Sequence, residues 1–100
     1  MKAVVDGTTI AEAQQEDLAH IEGNWYFPRS SLVSEFFVES PTAYTCPWKG
    51  AAQYFDVKVG DKVVKDGAWS YSDLRPGAVE RVGKDFAGFV AFDRSVTVGE

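Results

Sequence analysis

A chain of 100 residues with 45% hydrophobic and 14% aromatic content has apolar mass for one compact domain, residues 1–100, and no room for a second. Its net charge of −5, with ten basic residues scattered along the chain, argues against nucleic acid and anionic membrane as partners, since both are bound through clustered Lys and Arg. The one cysteine, Cys46, excludes an internal disulfide, and with a single histidine it excludes a closed zinc site of four N/S ligands within one chain.

The first residues, Met1 to Gly7, lack the apolar core of a secretory signal. No apolar run approaches the ~18 residues of a membrane span. A soluble, unprocessed, cytoplasmic protein is expected, in keeping with an unpaired cysteine. Lys2–Val5 and Thr8–Ala11 flank Asp6-Gly7, a two-residue turn signal because both residue types tolerate positive φ, and this predicts a β-hairpin. His20 lies in the run Asp17-Leu18-Ala19-His20-Ile21, where a solvated or hydrogen-bonded side chain is the ordinary outcome.

Tyr26-Phe27-Pro28-Arg29 puts a guanidinium just past a strand end, beside aromatics. There Arg29 can hold a carboxylate or phosphate through a bidentate contact, or form an internal salt bridge to one of the fifteen acidic residues. Pro28 at a first helical turn, with Ser30 or Ser31 as cap, predicts one or two turns of helix through Leu32–Glu35.

Tyr44-Thr45-Cys46-Pro47-Trp48-Lys49-Gly50 concentrates the most chemistry in the chain. Pro47 fixes one φ and Gly50 frees another, so Trp48 and Lys49 are presented from a stiff loop. The alternative is a turn whose tryptophan merely covers the core. A nucleophilic Cys46 needs a nearby cation or base to lower its pKa, and Lys49 is the sole local candidate; a buried, inert thiol is the balance of these residues.

In Tyr54–Val59 the apolar Phe55, Val57 and Val59 alternate with Tyr54, Asp56 and Lys58, and Gly60-Asp61 turns the chain into Lys62–Lys65. Trp69–Tyr71 extends that second arm, with Asp66-Gly67 as a bulge or a second turn. Trp48, Tyr54, Trp69 and Tyr71 form either an aromatic ligand wall or core filling at the sheet seam. A short helix is predicted over Gly77–Val82, after Pro76, and Gly88–Phe92 and Val96–Val98 read as closing strands. Neither helix is long enough for a parallel crossover, so a mainly β, antiparallel fold is expected.

Four segments, Tyr26-Phe27-Pro28-Arg29, Thr45-Cys46-Pro47-Trp48-Lys49-Gly50, Ala68-Trp69-Ser70-Tyr71 and Gly88-Phe89-Val90-Ala91-Phe92, occur in an order and spacing that resembles the domain-of-unknown-function family number 427. The resemblance spans about Val4 to Val98. It implies a β-tent: two antiparallel sheets joined at one edge and splayed at the other, with one or two short helices, related to methionine sulfoxide reductase B, the yippee proteins and the thalidomide-binding domain of cereblon. Many β-tent proteins hold the tent with zinc on two Cys-x-x-Cys pairs. Those pairs are absent here, so a zinc-less member without cofactor is implied, and no catalytic residue carries over.

No phosphate loop, nucleophile elbow, His-Glu-x-x-His or paired catalytic carboxylate spacing occurs. The leading expectation is a binding module for a small anionic or aromatic ligand, or a peptide terminus, in a groove lined by Tyr26, Arg29, Cys46, Trp48, Lys49, Tyr54, Trp69 and Tyr71. Two alternatives stand beside it: an enzyme using Cys46, Lys49, Arg29 or a tyrosine, and a protein-interaction module whose aromatics are core.

Overall fold

The computed structural model describes all 100 residues. The Asp6-Gly7 turn forms as its residue types require: φ is +51° and +78° at the two positions, and they join β1 (Lys2–Val5) to β2 (Thr8–Glu12). Strand β9 (Thr97–Gly99), the last of nine, pairs with the other edge of β1 to complete a three-stranded sheet. A second turn of the same kind, Glu22-Gly23 at φ +54° and +82°, joins β3 (Ala19–Ile21) to β4 (Asn24–Tyr26). The sequence does not mark this hairpin, because glutamate rarely occupies a left-handed position.

The largest sheet is antiparallel in the order β5 (Phe37–Cys46), β6 (Gly50–Val59), β7 (Lys62–Ser70) and β8 (Val90–Phe92). The Gly60-Asp61 hairpin forms as expected. Asp66-Gly67 is a bulge rather than a second turn: the register slips opposite Asp56, whose carboxylate accepts the Asp66 N–H at 2.8 Å. The extra residues are thereby satisfied and β7 runs on through Trp69. Strand β5 is exposed along most of its length and carries Pro41 inside it, which hides it from periodicity. Pro41 sits at the register irregularity between Glu39 and Ala43 on a sheet edge, where its missing N–H breaks no ladder.

Helix is confined to α1 (Ala78–Val82) and three single 3₁₀ turns. Gly83, at φ +84°, closes α1 by donating its N–H to the Val79 carbonyl at 2.7 Å. The turn expected through Leu32–Glu35 is displaced to Arg29–Ser31 and Ser34–Phe36. Between these, Leu32 bridges to Ala11 and the Val33 N–H donates to the Ile10 carbonyl at 2.9 Å, so pairing with β2 overrides local capping.

The strands therefore fall into three antiparallel sheets, tied together at specific points. Reciprocal 2.8 Å bonds between Phe27 and Val90 stitch the end of β4 onto β8. Because side chains alternate along a strand, the row Phe55, Ala68, Phe92 faces one side of the large sheet and the row Tyr54, Trp69, Ala91 faces the other. The first side packs on Ala3, Val5, Ile10 and Phe27 in the main core. The second side gathers Tyr26, Cys46, Tyr71, Ala78 and Phe86 into a separate cluster. That second face carries the site.

Candidate functional site

The Pro47-Trp48-Lys49 loop connects β5 to β6 beyond the closing pair Cys46 and Gly50. Gly50 is required here twice over. Its φ is +121°, and a Cβ on it would lie 2.7 Å from the Asp73 carbonyl oxygen. The chain after β7 thus crosses directly over the loop, and the Arg75 N–H donates to the Lys49 carbonyl at 3.1 Å.

This crossing buries Lys49, which is only 4% exposed. Its ammonium lies 5.0 Å from the Trp48 ring centroid and 5.1 Å from that of Tyr71, and it is ion-paired with Glu22 at the β3–β4 turn. Burial works against the Lys49 charge, but hydrogen bonding to Glu22 and the surrounding negative groups outweigh it, so the amine pKa is raised. The same ammonium, foremost among several contributions, holds the Glu22 carboxyl below its ordinary value. Both partners are charged near neutrality.

Around the pair the aromatics interlock. The Trp69 indole N–H donates to the Tyr26 hydroxyl at 3.1 Å. Tyr26 packs edge-on to Phe86 at 5.9 Å, and Tyr54 lies 6.2 Å from Trp69. Desolvation raises the pKa of both Tyr26 and Tyr71, keeping these hydroxyls protonated. Cys46 is free and buried at the floor of the same cluster. Tyr26, Cys46, Trp48, Lys49, Tyr54, Trp69 and Tyr71 are therefore brought to one face of the sheet.

Arg29 is not among them. It lies on the opposite face, with Nε donating to the Gly88 carbonyl at 3.3 Å and an Nη donor to Ser70 Oγ at 3.5 Å, and its guanidinium 5.2 Å from the Phe55 ring centroid. The reason is register: Ser70 and Phe55 stand in rows that alternate with the row of Trp69 and Tyr54. The expected groove combining Arg29 with Lys49 does not form.

Other residues complete the site from positions the sequence did not mark. Arg81, on α1, brings its guanidinium carbon 4.4 Å from the Trp48 ring centroid. Trp48 is a partition between two clefts. One, of about 240 Å³, is lined by His20, Ile21, Glu22, Trp48, Arg81 and Val82. The other, of about 320 Å³, lies between Pro47, Trp48, Arg75, Pro76 and Arg81. His20 stacks on Trp25, with the ring centroids 4.2 Å apart. The signal that could have found Glu22 is the Glu-Gly pair between two short β-prone runs; Arg75 and Arg81 carry no local signal, because the crossing of the chain places them.

A larger cleft, about 700 Å³, is bordered by Met1, Glu12, Asp17 and Lys84. Its lysine is already spent on the carbonyls of Glu16 and Leu18, at 2.9 and 3.0 Å, so the Trp48 region holds more uncommitted chemistry. No group of three or more His, Cys, Asp or Glu side chains is placed to hold a metal ion. No helix is long and apolar enough to cross a membrane.

A comparison with curated proteins found no match. A family model described as "Domain of unknown function (DUF427)" matches residues 1–98, and on that match the chain belongs to this family of domains of unknown function.

Proposed function

We propose that the domain is a binding module for a small anionic ligand with a planar or aromatic part, taken up against Trp48 and held by Arg81 and Arg75. The observation that carries this is the 4.4 Å approach of the Arg81 guanidinium to a half-buried Trp48 ring at the wall of a 320 Å³ cleft. Neither arginine has an acidic partner, since the Lys49–Glu22 pair is the sole ion pair in the chain. Two free guanidinium forks beside an indole face suit a carboxylate or phosphate carried on a ring or a peptide terminus. Lys49 acts behind this surface. Already neutralised by Glu22, it packs under Trp48 and fixes the indole rather than meeting the ligand. A reducing, cytoplasmic setting suits the free thiol of Cys46, and kinship with the β-tent proteins, in a zinc-less form, goes with the same proposal.

The test is a titration with phenyl phosphate and benzoate, followed by ¹H–¹⁵N NMR at the Trp48 indole. Saturable shifts there are expected, with affinity falling about tenfold or more in Arg81→Gln, the scale of losing one charge-assisted contact. Arg29→Gln should bind as wild type does. Unchanged affinity in Arg81→Gln, or no shift at Trp48 with either probe, overturns the proposal.

A further inference from the structure

On the sheet face opposite Trp48, Arg29 and Glu39 line a single cleft of about 210 Å³. Each is exposed and neither has an ionic partner, the one salt bridge in the chain being Lys49–Glu22. A cation and an anion, each without an ionic partner, thus share a small volume without pairing. The floor between them is apolar by register. Glu39 pairs with Phe55 and Phe37 with Val57, so Phe37, Glu39 and Phe55 rise from the same face, and Leu32 closes one side.

Arg29 is oriented for recognition. Its plane is steadied over the Phe55 ring at 5.2 Å and by the bonds from Nε to Gly88 and from an Nη group to Ser70. A guanidinium has five N–H donors, so these two contacts leave several free. Glu39 makes no side-chain hydrogen bond to the rest of the chain and keeps its full acceptor capacity.

We propose that this cleft binds a small zwitterion with an apolar body, the class to which the apolar α-amino acids belong. The carboxylate lies on the Arg29 fork, the ammonium on Glu39, and the side chain against Phe37, Phe55 and Leu32. Complementarity rests on both charges at once: a bare anion is repelled by Glu39, and a bare cation by Arg29. The volume lies below the ~300–1,000 Å³ of drug-sized sites, which fits one residue-sized molecule rather than a peptide. This site is independent of the Trp48 proposal, whose 320 Å³ cleft offers two cations and no acid.

The experiment is a ¹H–¹⁵N titration of the whole chain with L-leucine, L-phenylalanine, 4-methylpentanoate and 3-methylbutylamine. At least one amino acid is expected to shift the amides of Phe37, Glu39 and Phe55 saturably, with each singly charged analogue weaker by about tenfold, the scale of one lost charge-assisted contact. Glu39→Gln touches an exposed, unbonded side chain and keeps the fold; it should lower amino-acid affinity to that of 4-methylpentanoate. Arg29→Lys should weaken binding by removing the fork while retaining the charge. Absence of saturable shifts with both amino acids, equal affinity for 4-methylpentanoate, or unchanged affinity in Glu39→Gln overturns the inference.

Discussion

The ammonium of Lys49 meets the carboxylate of Glu22 across an asymmetric boundary: the lysine side chain is 5% exposed and the glutamate side chain 55%. Glu22 makes this contact from a left-handed turn position at φ +54°, a conformation that costs a non-glycine residue on the order of 1 kcal/mol. The hairpin therefore holds a strained residue over a buried charge. A fully exposed pair contributes only ~0.2–1 kcal/mol, whereas a buried charge deprived of its partner costs several. Glu22→Gln, Lys49→Met and the double variant, compared by urea denaturation, should give a coupling energy of about 1–2 kcal/mol, between these limits. A coupling below about 0.5 kcal/mol would place Glu22 and Lys49 among ordinary surface pairs.

The titration behaviour of the cluster follows from the raised pKa values of Tyr26, Lys49 and Tyr71. In the unfolded chain these groups lose protons near pH 10 to 10.4 (~10 for Tyr, ~10.4 for Lys). In the folded state they keep them longer, so the unfolded state binds fewer protons above that pH. Stability is then complete below about pH 10 and declines as pH rises toward the folded values, by up to ~1.4 kcal/mol per pH unit for each group. Tyr71→Phe should flatten the alkaline arm of a stability–pH curve by about one proton. On the acid side Glu22, Asp66 and Asp93 have lowered values, so their contribution is present above about pH 4.3 and is lost as pH falls through the folded values. An alkaline slope identical in wild type and Tyr71→Phe would refute the burial account of that tyrosine.

How much of this was legible in the residues depends on whether the signal is local. The Asp6-Gly7 and Gly60-Asp61 hairpins and the helix at Ala78–Val82 were legible because turn chemistry and Pro76 act within a few residues. Strand β5 was not, since an edge strand with Pro41 and a mostly exposed pattern shows no alternation. The aromatic and lysine members of the site were visible as motif residues. Their partner was not: only the Glu22-Gly23 turn and the crossing of Asp73–Arg75 over Gly50 bring Glu22, Arg75 and Arg81 around Trp48. Arg29 falls on the opposite face from Lys49 because face assignment depends on register: Ser70 and Phe55, which its guanidinium meets, stand in rows that alternate with Trp69 and Tyr54.

Cys46 is 5% exposed beneath Tyr71 and Phe86, so reagent reaches it when the cluster opens. Alkylation by iodoacetamide should be slower in the native protein than in urea by at least about 100-fold, corresponding to an opening free energy of ~3 kcal/mol. Native labelling within a few-fold of the unfolded rate would mean that the thiol meets solvent directly and would revive a reactive role for it.

Gly50 links stability to the cleft, because the residue that permits the Trp48 loop also admits the Asp73 carbonyl. Gly50→Ala introduces a Cβ 2.7 Å from that oxygen at a φ of +121°. Strain and overpacking each cost roughly 1–3 kcal/mol, and the sum should exceed about 2 kcal/mol. Gly60→Ala is the matched control: its φ is +58° and nothing lies within 4 Å of the added Cβ, so it carries conformational strain without a clash. The two variants should differ by about 1 kcal/mol or more in denaturant unfolding. A second difference is expected at the site. Relief of the Gly50 clash moves the Asp73–Arg75 segment outward, so Gly50→Ala should shift the Trp48 indole and Arg75 amide resonances while Gly60→Ala leaves them in place. Equal destabilisation by both substitutions, with the Trp48 signal unmoved, would show that the crossing segment yields freely and does not hold the cleft.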